Sequence, residues 1–309
     1  MSRGSIVAML IAAELVVVSL AIYSLGGGMT LAGGMHRVEF TPAAIAPLAA
    51  GTTPQIVIDD SRSRVRVGVS SDALVHVRDL TEMRGAIFSS GTYPQLRMTR
   101  TADGVRIERP WSPRIAFDLF GFSTQAIEVN VPSGAHVEIA RCEGADVTGI
   151  TGGVSVRSQD GHITLADLDG NVDARSDDGY LDARNVRGDR LAIESHDGHL
   201  ALHDVAVGSL LATTRDGRIE AQGLSLVGER PDATLHTGDG SIKMYLSPNA
   251  NLTVDASTGD GRIDVDGSAA RGDGSTQRTV RLGTGAGRMT VDTADGSIHI
   301  LTNGAPQSD

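Results

Sequence analysis

"SHDGHLALHD", Ser195 to Asp204, is the stretch on which the reading of this chain turns. It is a near copy of "SQDGHITLAD" from Ser158 and of "SDDGYLDARN" from Ser176, and "TRDGRIEAQG" follows from Thr214. Each copy has a hydroxyl residue, a free position, Asp-Gly, and then an apolar/polar alternation of the kind that makes a half-buried strand. The pair recurs as Asp160-Gly161, Asp178-Gly179, Asp197-Gly198, Asp216-Gly217, Asp239-Gly240, Asp260-Gly261 and Asp295-Gly296. "TGAGRM", from Thr284, reads as a degenerate copy with Ala286 in the aspartate's place. From Asp160 to Asp260 the spacing stays between 18 and 23 residues, a solenoid period.

One unit, "DGHITLADLDGNVDARSD", shows what each period contains. After Asp-Gly, Ile163 and Leu165 alternate with polar neighbours, a second bend follows at "DLDG", and Val172 and Ala174 alternate likewise. Later units place Leu181 and Ala183, Leu200 and Leu202, Ile219 and Ala221, Ile242 and Met244, Ile263 and Val265, and Ile298 and Ile300 in the same role. Side chains alternate faces along a strand, so these residues are expected to form one inner apolar column. A unit this short cannot bury its apolar side alone and must stack on its neighbours. The Asp-Gly pair is then corner punctuation. Glycine is expected to supply positive φ, aspartate to tolerate the same region, and the Ser/Thr to hydrogen-bond within the bend.

The segment "IEVNVPSGAHVEIARCEGADVTGITGGVSVRSQDGHI", from Ile127, runs strand, Pro-x-Gly, strand, a spaced glycine series and then Ser-x-Asp-Gly. With these motifs the chain resembles the bacterial putative-adhesin family, a domain of unknown function built of β-strand repeats. The resemblance spans about Gln55 to Leu301. It implies a β-solenoid-like fold outside the cytoplasm and no established catalytic residues.

Composition agrees with a thin repetitive stack. The 309 residues include 38 glycines but only 3% aromatics, so a core of Val, Ile, Leu and Ala is expected. The net charge of -11 argues against a nucleic-acid partner, which would need a basic stripe. The single cysteine, Cys142, allows no intrachain disulfide and falls at a strand position in "VEIARCEG", where it reads as a small buried hydrophobe.

Ahead of the repeats, Ser5 to Leu25 is an almost unbroken apolar run. At ~1.5 Å per residue it matches the roughly 30 Å thickness of a bilayer core. Arg3 precedes it, which places residues 1–4 in the cytoplasm and residues 26–309 outside it, periplasmic or at the cell surface. The run reads as a signal anchor in the lipid bilayer at 5–25. Cleavage is the alternative, with Ala32 and Gly34 as small residues at suitable spacing. Glu14 lies mid-span, where an ionisable group marks either a helix partner or a tolerated protonated acid.

The remaining divisions are a flexible linker over 26–54, a β-rich capping region over 55–135 that leads into the stack, the β-solenoid over 136–301, and a disordered tail over 302–309. Asp103-Gly104 marks a tight turn in the capping region. "RPWSPRIAFDLFGFS", Arg109 to Ser123, gathers Trp111, Phe117, Phe120 and Phe122. It reads as a cap over an open end of the stack, or as an exposed contact patch.

Three constellations bear on chemistry. Stacked corner aspartates would form a ladder about 4.8 Å apart. No cofactor is assigned; such a ladder could bind cations, calcium among them, though the glycine-rich nonapeptide pattern of calcium repeats is missing. No local cluster breaks the repeat as an active site would, so no catalytic residues are assigned and no enzymatic activity is expected. Among the histidines, His196, His199 and His203 fall in one stretch, the last two on the outer face. Finally, the position after each Asp-Gly gives His162, Tyr180, His199, Arg218, Ser241, Arg262, Arg288 and Ser297. In a stack these align as one exposed stripe suited to a glycan or protein partner of the cell envelope. The expectation is an all-β fold, a parallel β-helix-like solenoid behind one transmembrane helix. An adhesin-like, non-enzymatic envelope role leads, with a structural, assembly or signalling scaffold as the alternative and a polysaccharide-active enzyme behind both.

Overall fold

The computed structural model describes residues 28–39, 43–44, 53–89, 95–110, 116–247, 249–266, 268–270 and 276–302. Within them all regular structure is β, and no helix is long and apolar enough to cross a membrane. The Ser5–Leu25 run and the tail beyond residue 302 lie outside the described residues.

The strands that follow the Asp-Gly corners pair in parallel. Their register puts Ile163, Leu181, Leu200, Ile219 and Ile242 in one line. The opposite side of the stack repeats the device with Val137, Val154, Val172, Leu191, Leu210, Ala233, Met289 and Val254. Both lines are buried, and with their in-strand partners they form one continuous core. A short third ladder, Arg187 to Ala206 to Ser225, closes the middle rungs. Every inward residue expected from the alternation is buried except Val265, which is partly covered. Each fully buried Leu or Ile contributes about 1.5–3 kcal/mol, so the stack needs no aromatic core.

Four strands of the capping region stack in the same columns as the repeats. Gln55–Asp59 and Arg64–Val69 lie between Gly104–Glu108 and Ala116–Val131 on one side and His136–Cys142 and Gly144–Thr148 on the other. The first rung in sequence is therefore second in space. The other end mirrors this. Gly287–Thr293 and Ser297–Leu301 slot between Asp232–Thr237 and Ile242–Tyr245 on one side and Leu252–Thr258 and Arg262–Val265 on the other. "TGAGRM" is thus not a degenerate corner. It is the bend joining edge strand Thr276–Leu282 to Gly287–Thr293, with Gly285 at φ 72°.

Each outermost rung is closed by antiparallel strands. Arg97–Arg100 covers Gly104–Glu108 through the Asp103-Gly104 turn, and Leu74–Ser89 covers Ala116–Val131. Thr276–Leu282 and Ser268–Ala270 cover the far end. Part of the stretch read as a linker, Gly28–Glu39, is a strand antiparallel to Leu74–Ser89. Pairing along an exposed strand edge satisfies its backbone groups, which offsets the cost of ordering its glycines.

The corners differ from the expectation in a specific way. None of the seven corner glycines, Gly161 to Gly296, has positive φ. That conformation falls at the second bend instead, at Asp167, Asn185, Asp204 and Asp266, with Gly149 and Gly223 among them. What the corner glycines provide is room. A Cβ on Gly198 would stand 1.9 Å from the carbonyl oxygen of Gly179, and one on Gly217 1.9 Å from that of Gly198. The Ser/Thr residues also act mainly across rungs. Ser195 Oγ donates to Gly179 O (3.2 Å), Thr214 Oγ1 to Gly198 O (3.0 Å) and Thr237 Oγ1 to Gly217 O (2.9 Å). A bond within the bend is seen as well, from Gly179 N to Ser176 Oγ at 2.9 Å. All these hydroxyl residues are buried.

A buried ionic cluster, with no signal in the sequence pattern, holds the near end. Arg109 Nε donates to Asp60 (2.6 Å), and its Nη1 and Nη2 donate to the two oxygens of Asp79 (3.1 and 3.0 Å). Ser63 and Thr81 hydroxyls donate to Asp60 and Asp79 respectively. The cluster ties the outermost rung to the first corner and to the antiparallel strand Leu74–Ser89.

Two outcomes are expected in thermal and denaturant unfolding. Gly198→Ala forces adjacent backbones apart and costs about 1–3 kcal/mol, whereas Gly134→Ala, where an added Cβ meets nothing within 4 Å, stays near neutral. Arg109→Met strands two buried carboxylates and costs about 3–5 kcal/mol.

Candidate binding face

The residue after each Asp-Gly begins a strand with its side chain outward, so the rungs bring these positions into a column. The spatial order is His162, Tyr180, His199, Arg218, Ser241, Ser297, Arg262, because the C-terminal rung is inserted before the last. Arg288 is not in the column. It lies on the opposite sheet, between Asp232 and Thr253.

Three of these side chains touch. His162 and Tyr180 have ring centroids 5.0 Å apart at 41°, and Tyr180 and His199 are 5.1 Å apart and nearly parallel at 5°. The stacking direction is the stack axis, so Tyr180 has a ring over each of its faces. The ladder therefore offers solvent its edges, with ring nitrogens and a phenol hydroxyl, rather than a flat apolar platform. Burial comes first in shifting both inner members. It raises the Tyr180 pKa, helped by the Asp182 charge, and it lowers that of His199, helped by the Arg218 guanidinium.

Beneath Tyr180, Asp182 is buried and paired with Arg184 on the same strand. Further along, Lys243 Nζ sits 4.9 Å from the centre of the Tyr245 ring. Arg218, Ser241, Lys243, Asp264, His299 and Leu301 line an open depression of about 430 Å³ at this end of the face. Two cations, Arg218 and Lys243, and one acid, Asp264, are among its lining residues.

The corner aspartates Asp160, Asp178, Asp197, Asp216, Asp239, Asp260 and Asp295 are exposed. Their backbone groups do the work at the corner: Asp178 N donates to Gln159 O (3.0 Å) and Asp216 N to His196 O (3.0 Å). Among the described residues no three His, Cys, Asp or Glu side chains converge on a cation position. His196 leans on Asp177 at 3.8 Å, and His203 is half-buried on the outer face. Cys142 is buried, and burial lifts its thiol to about 11, which suppresses the thiolate at neutral pH.

Trp111 lies outside the described residues. Phe117, Phe120 and Phe122 lie in strand Ala116–Val131, in register with Phe88, Ala86 and Arg84 of the neighbouring strand. From Ala116 onward the backbone is a strand antiparallel to Leu74–Ser89. The pattern reading missed the Arg109 cluster, and it missed an irregular corner at Cys142–Gly144. The second had a signal in the sequence, since "RCEG" breaks the Ser/Thr-x-Asp-Gly rule.

The stacked parallel rungs, the glycine corners and the capped ends define a β-solenoid-like repeat domain. More narrowly, the chain belongs to the Toastrack DUF4097 family, whose profile matches residues 54–301. No curated protein matches it. Among solved structures it is similar to a putative cell adhesion protein from Clostridium sporogenes, at 11% identity over 87% of this chain and 99% of that one, with a TM-score of 0.27. It is also similar to a putative adhesin from Bacteroides fragilis, at 10% identity over 88% of this chain and 100% of that one, with a TM-score of 0.36.

The His199 shift has a definite sign. Protonation is easier in the unfolded chain than in the folded one, so the stability this group contributes is present above pH 6.5 and declines as pH falls through 6.5 toward the lower folded value. An NMR titration is expected to place the His199 midpoint below 6.5, and Arg218→Gln is expected to move it upward.

Proposed function

We propose that this is a non-enzymatic, membrane-anchored cell-envelope protein that displays its β-solenoid as an adhesin-like surface for a glycan or protein partner. The observation that carries the reading is the outer column itself. Three mutually stacked rings, His162, Tyr180 and His199, continue into Arg218 on a rigid sheet. Rings locked in this way lose little conformational freedom on binding, and their hydrogen-bonding edges suit a polar partner. Membrane anchoring is supported by the apolar Ser5–Leu25 run and by Arg3 ahead of it, a charge order that favours a domain outside the cytoplasm. A non-catalytic role is favoured by carboxylates that recur alike at the seven Asp-Gly corners, with no group of three His, Cys, Asp or Glu among the described residues able to hold a metal ion.

The scaffold reading, in which copies stack end to end, fares worse. Two of the edge strands, Arg97–Arg100 at one end and Thr276–Leu282 at the other, carry Arg97, Arg100, Arg278 and Arg281. Cationic edge strands repel their like and block strand addition.

The test is a screen of the purified full-length chain against glycans, cell-wall fragments and envelope proteins, run with calcium and with chelator, and read for binding and for product release. Saturable binding without turnover is expected. The Tyr180→Ala/His199→Ala/Arg218→Ala variant should lose at least tenfold. Turnover abolished by a single aspartate substitution, or binding untouched by the triple variant, would overturn the reading.

A further inference from the structure

The repeat is broken at one corner. Ser158 is in register with Cys142 and Ile163 with Ala145. Between the first members stand Gln159, Asp160, Gly161 and His162, but between the second only Glu143 and Gly144. On the other side the corner is again full length. Asp60 N bonds Arg141 O, Val65 is in register with Ala145, and Ser61 to Arg64 stand between. A short corner flanked by two long ones leaves a notch one rung wide, roughly 10 Å between the flanking strands at ~4.8 Å per step. Its volume is about 350 Å³, and Ser61, Arg62, Gln125, Glu143, Gln159 and Asp160 line it.

The lining is unlike the rest of the surface. Gln125 Oε1 is buried without a hydrogen-bond partner, and among the described residues no other buried side-chain nitrogen or oxygen is left so. A buried acceptor left unpaired costs about 1–3 kcal/mol. Such groups in native folds call for an explanation, and one is that a ligand supplies the missing donor. Beside it the Glu143 and Asp160 carboxylates can only accept, while the Arg62 guanidinium can only donate. Two acids and one base make the notch net negative, which disfavours an anionic ligand. The guanidinium disfavours a bare cation. The neighbour of His162 in its column is Gly144, which has no side chain to lay over the imidazole.

We propose that this notch binds one neutral or amino-sugar ring. Ring hydroxyls or an ammonium group would donate to Glu143 and Asp160, and to Gln125 Oε1 once that side chain, which lines the notch, turns its buried oxygen outward. Arg62 would donate to a sugar oxygen, and the C–H face of the ring would lie toward the open side of His162. A volume near 350 Å³ is at the small end for ligand sites and fits a single sugar rather than a chain. The inference rests on the glycan reading and sharpens it: the notch selects a terminal unit, and the ladder holds the adjoining sugars.

The test uses the purified full-length chain and free glucose, galactose, glucosamine, N-acetylglucosamine and glucuronate, followed by NMR shift perturbation and calorimetry, with calcium chloride alone as a further arm. At least one neutral or amino sugar is expected to bind saturably. Gln125→Leu and Glu143→Gln should each weaken it at least tenfold, and Tyr180→Ala should change it less than twofold. Gln125→Leu should also leave Tm equal or higher, because it removes an unpaired acceptor. A lower Tm would mark the amide as a structural group and overturn the assignment. Glu143 is exposed, so Glu143→Gln reads out binding without a folding risk. Binding of glucuronate alone, of no sugar at all, or of sugars indifferent to both notch variants overturns the proposal. So does a Tm rise with calcium alone that Glu143→Gln erases. If single sugars fail while longer glycans bind in a Tyr180-dependent way, the notch falls and the binding-face reading stands. The reverse pattern removes the ladder and keeps the notch.

Discussion

Everything in this fold depends on how closely backbones approach at the Asp-Gly corner. The glycine carbonyl of one rung lies where the next rung's Cβ would be, at 1.8–2.1 Å from Gly179 onward through Gly198, Gly217, Gly240, Gly296 and Gly261. From Gly179 to Gly240, and again at Gly296, the same carbonyl accepts a hydroxyl hydrogen bond from the neighbouring rung's Ser or Thr. One oxygen thereby fixes both the absence of a side chain at the glycine and the presence of a hydroxyl three residues earlier. The corner aspartate is the least constrained member: it is exposed, and its backbone does the bonding.

A stack built this way has two open ends, and both are handled alike. At each end the first or last rung in sequence is tucked one place inside, and a rung nearer the middle of the chain is placed outermost and closed by antiparallel strands. An antiparallel edge can carry arginines facing solvent without disturbing the parallel column behind it, which stops further strand addition. At the near end the buried Arg109 cluster joins the outer rung to the first corner, a polar tie where the apolar columns run out.

Register also decides what the surface offers. Positions equivalent in the repeat become neighbours along the stack axis, so rings at successive rungs must stack on one another. That makes His162, Tyr180 and His199 a ladder of edges, keeps His199 neutral to lower pH, and leaves Arg218 as the cation at its end. A single corner two residues short then opens a polar notch beside the ladder, with one acceptor left unpaired on its wall.

Much of this was legible in the chain itself. The period of "SxDG" determined a stacked all-β fold, and the two-residue alternation determined which side chains are buried, because both are local properties repeated at every rung. The outward column from His162 to Arg218 followed from the same count. Three things were decided only by tertiary structure. The glycine requirement is a contact between rungs and not a local φ, so the Asp-Gly dipeptide looks the same under either cause. The order of the end rungs depends on which edge a strand finds, and that moved Arg288 off the column and turned "TGAGRM" from a corner into the bend that carries the chain from one side of Leu252–Thr258 to the other. The Arg109–Asp60–Asp79 cluster and the notch at Gln125 join residues far apart in sequence, and no periodicity marks them, because each exists where the repeat stops.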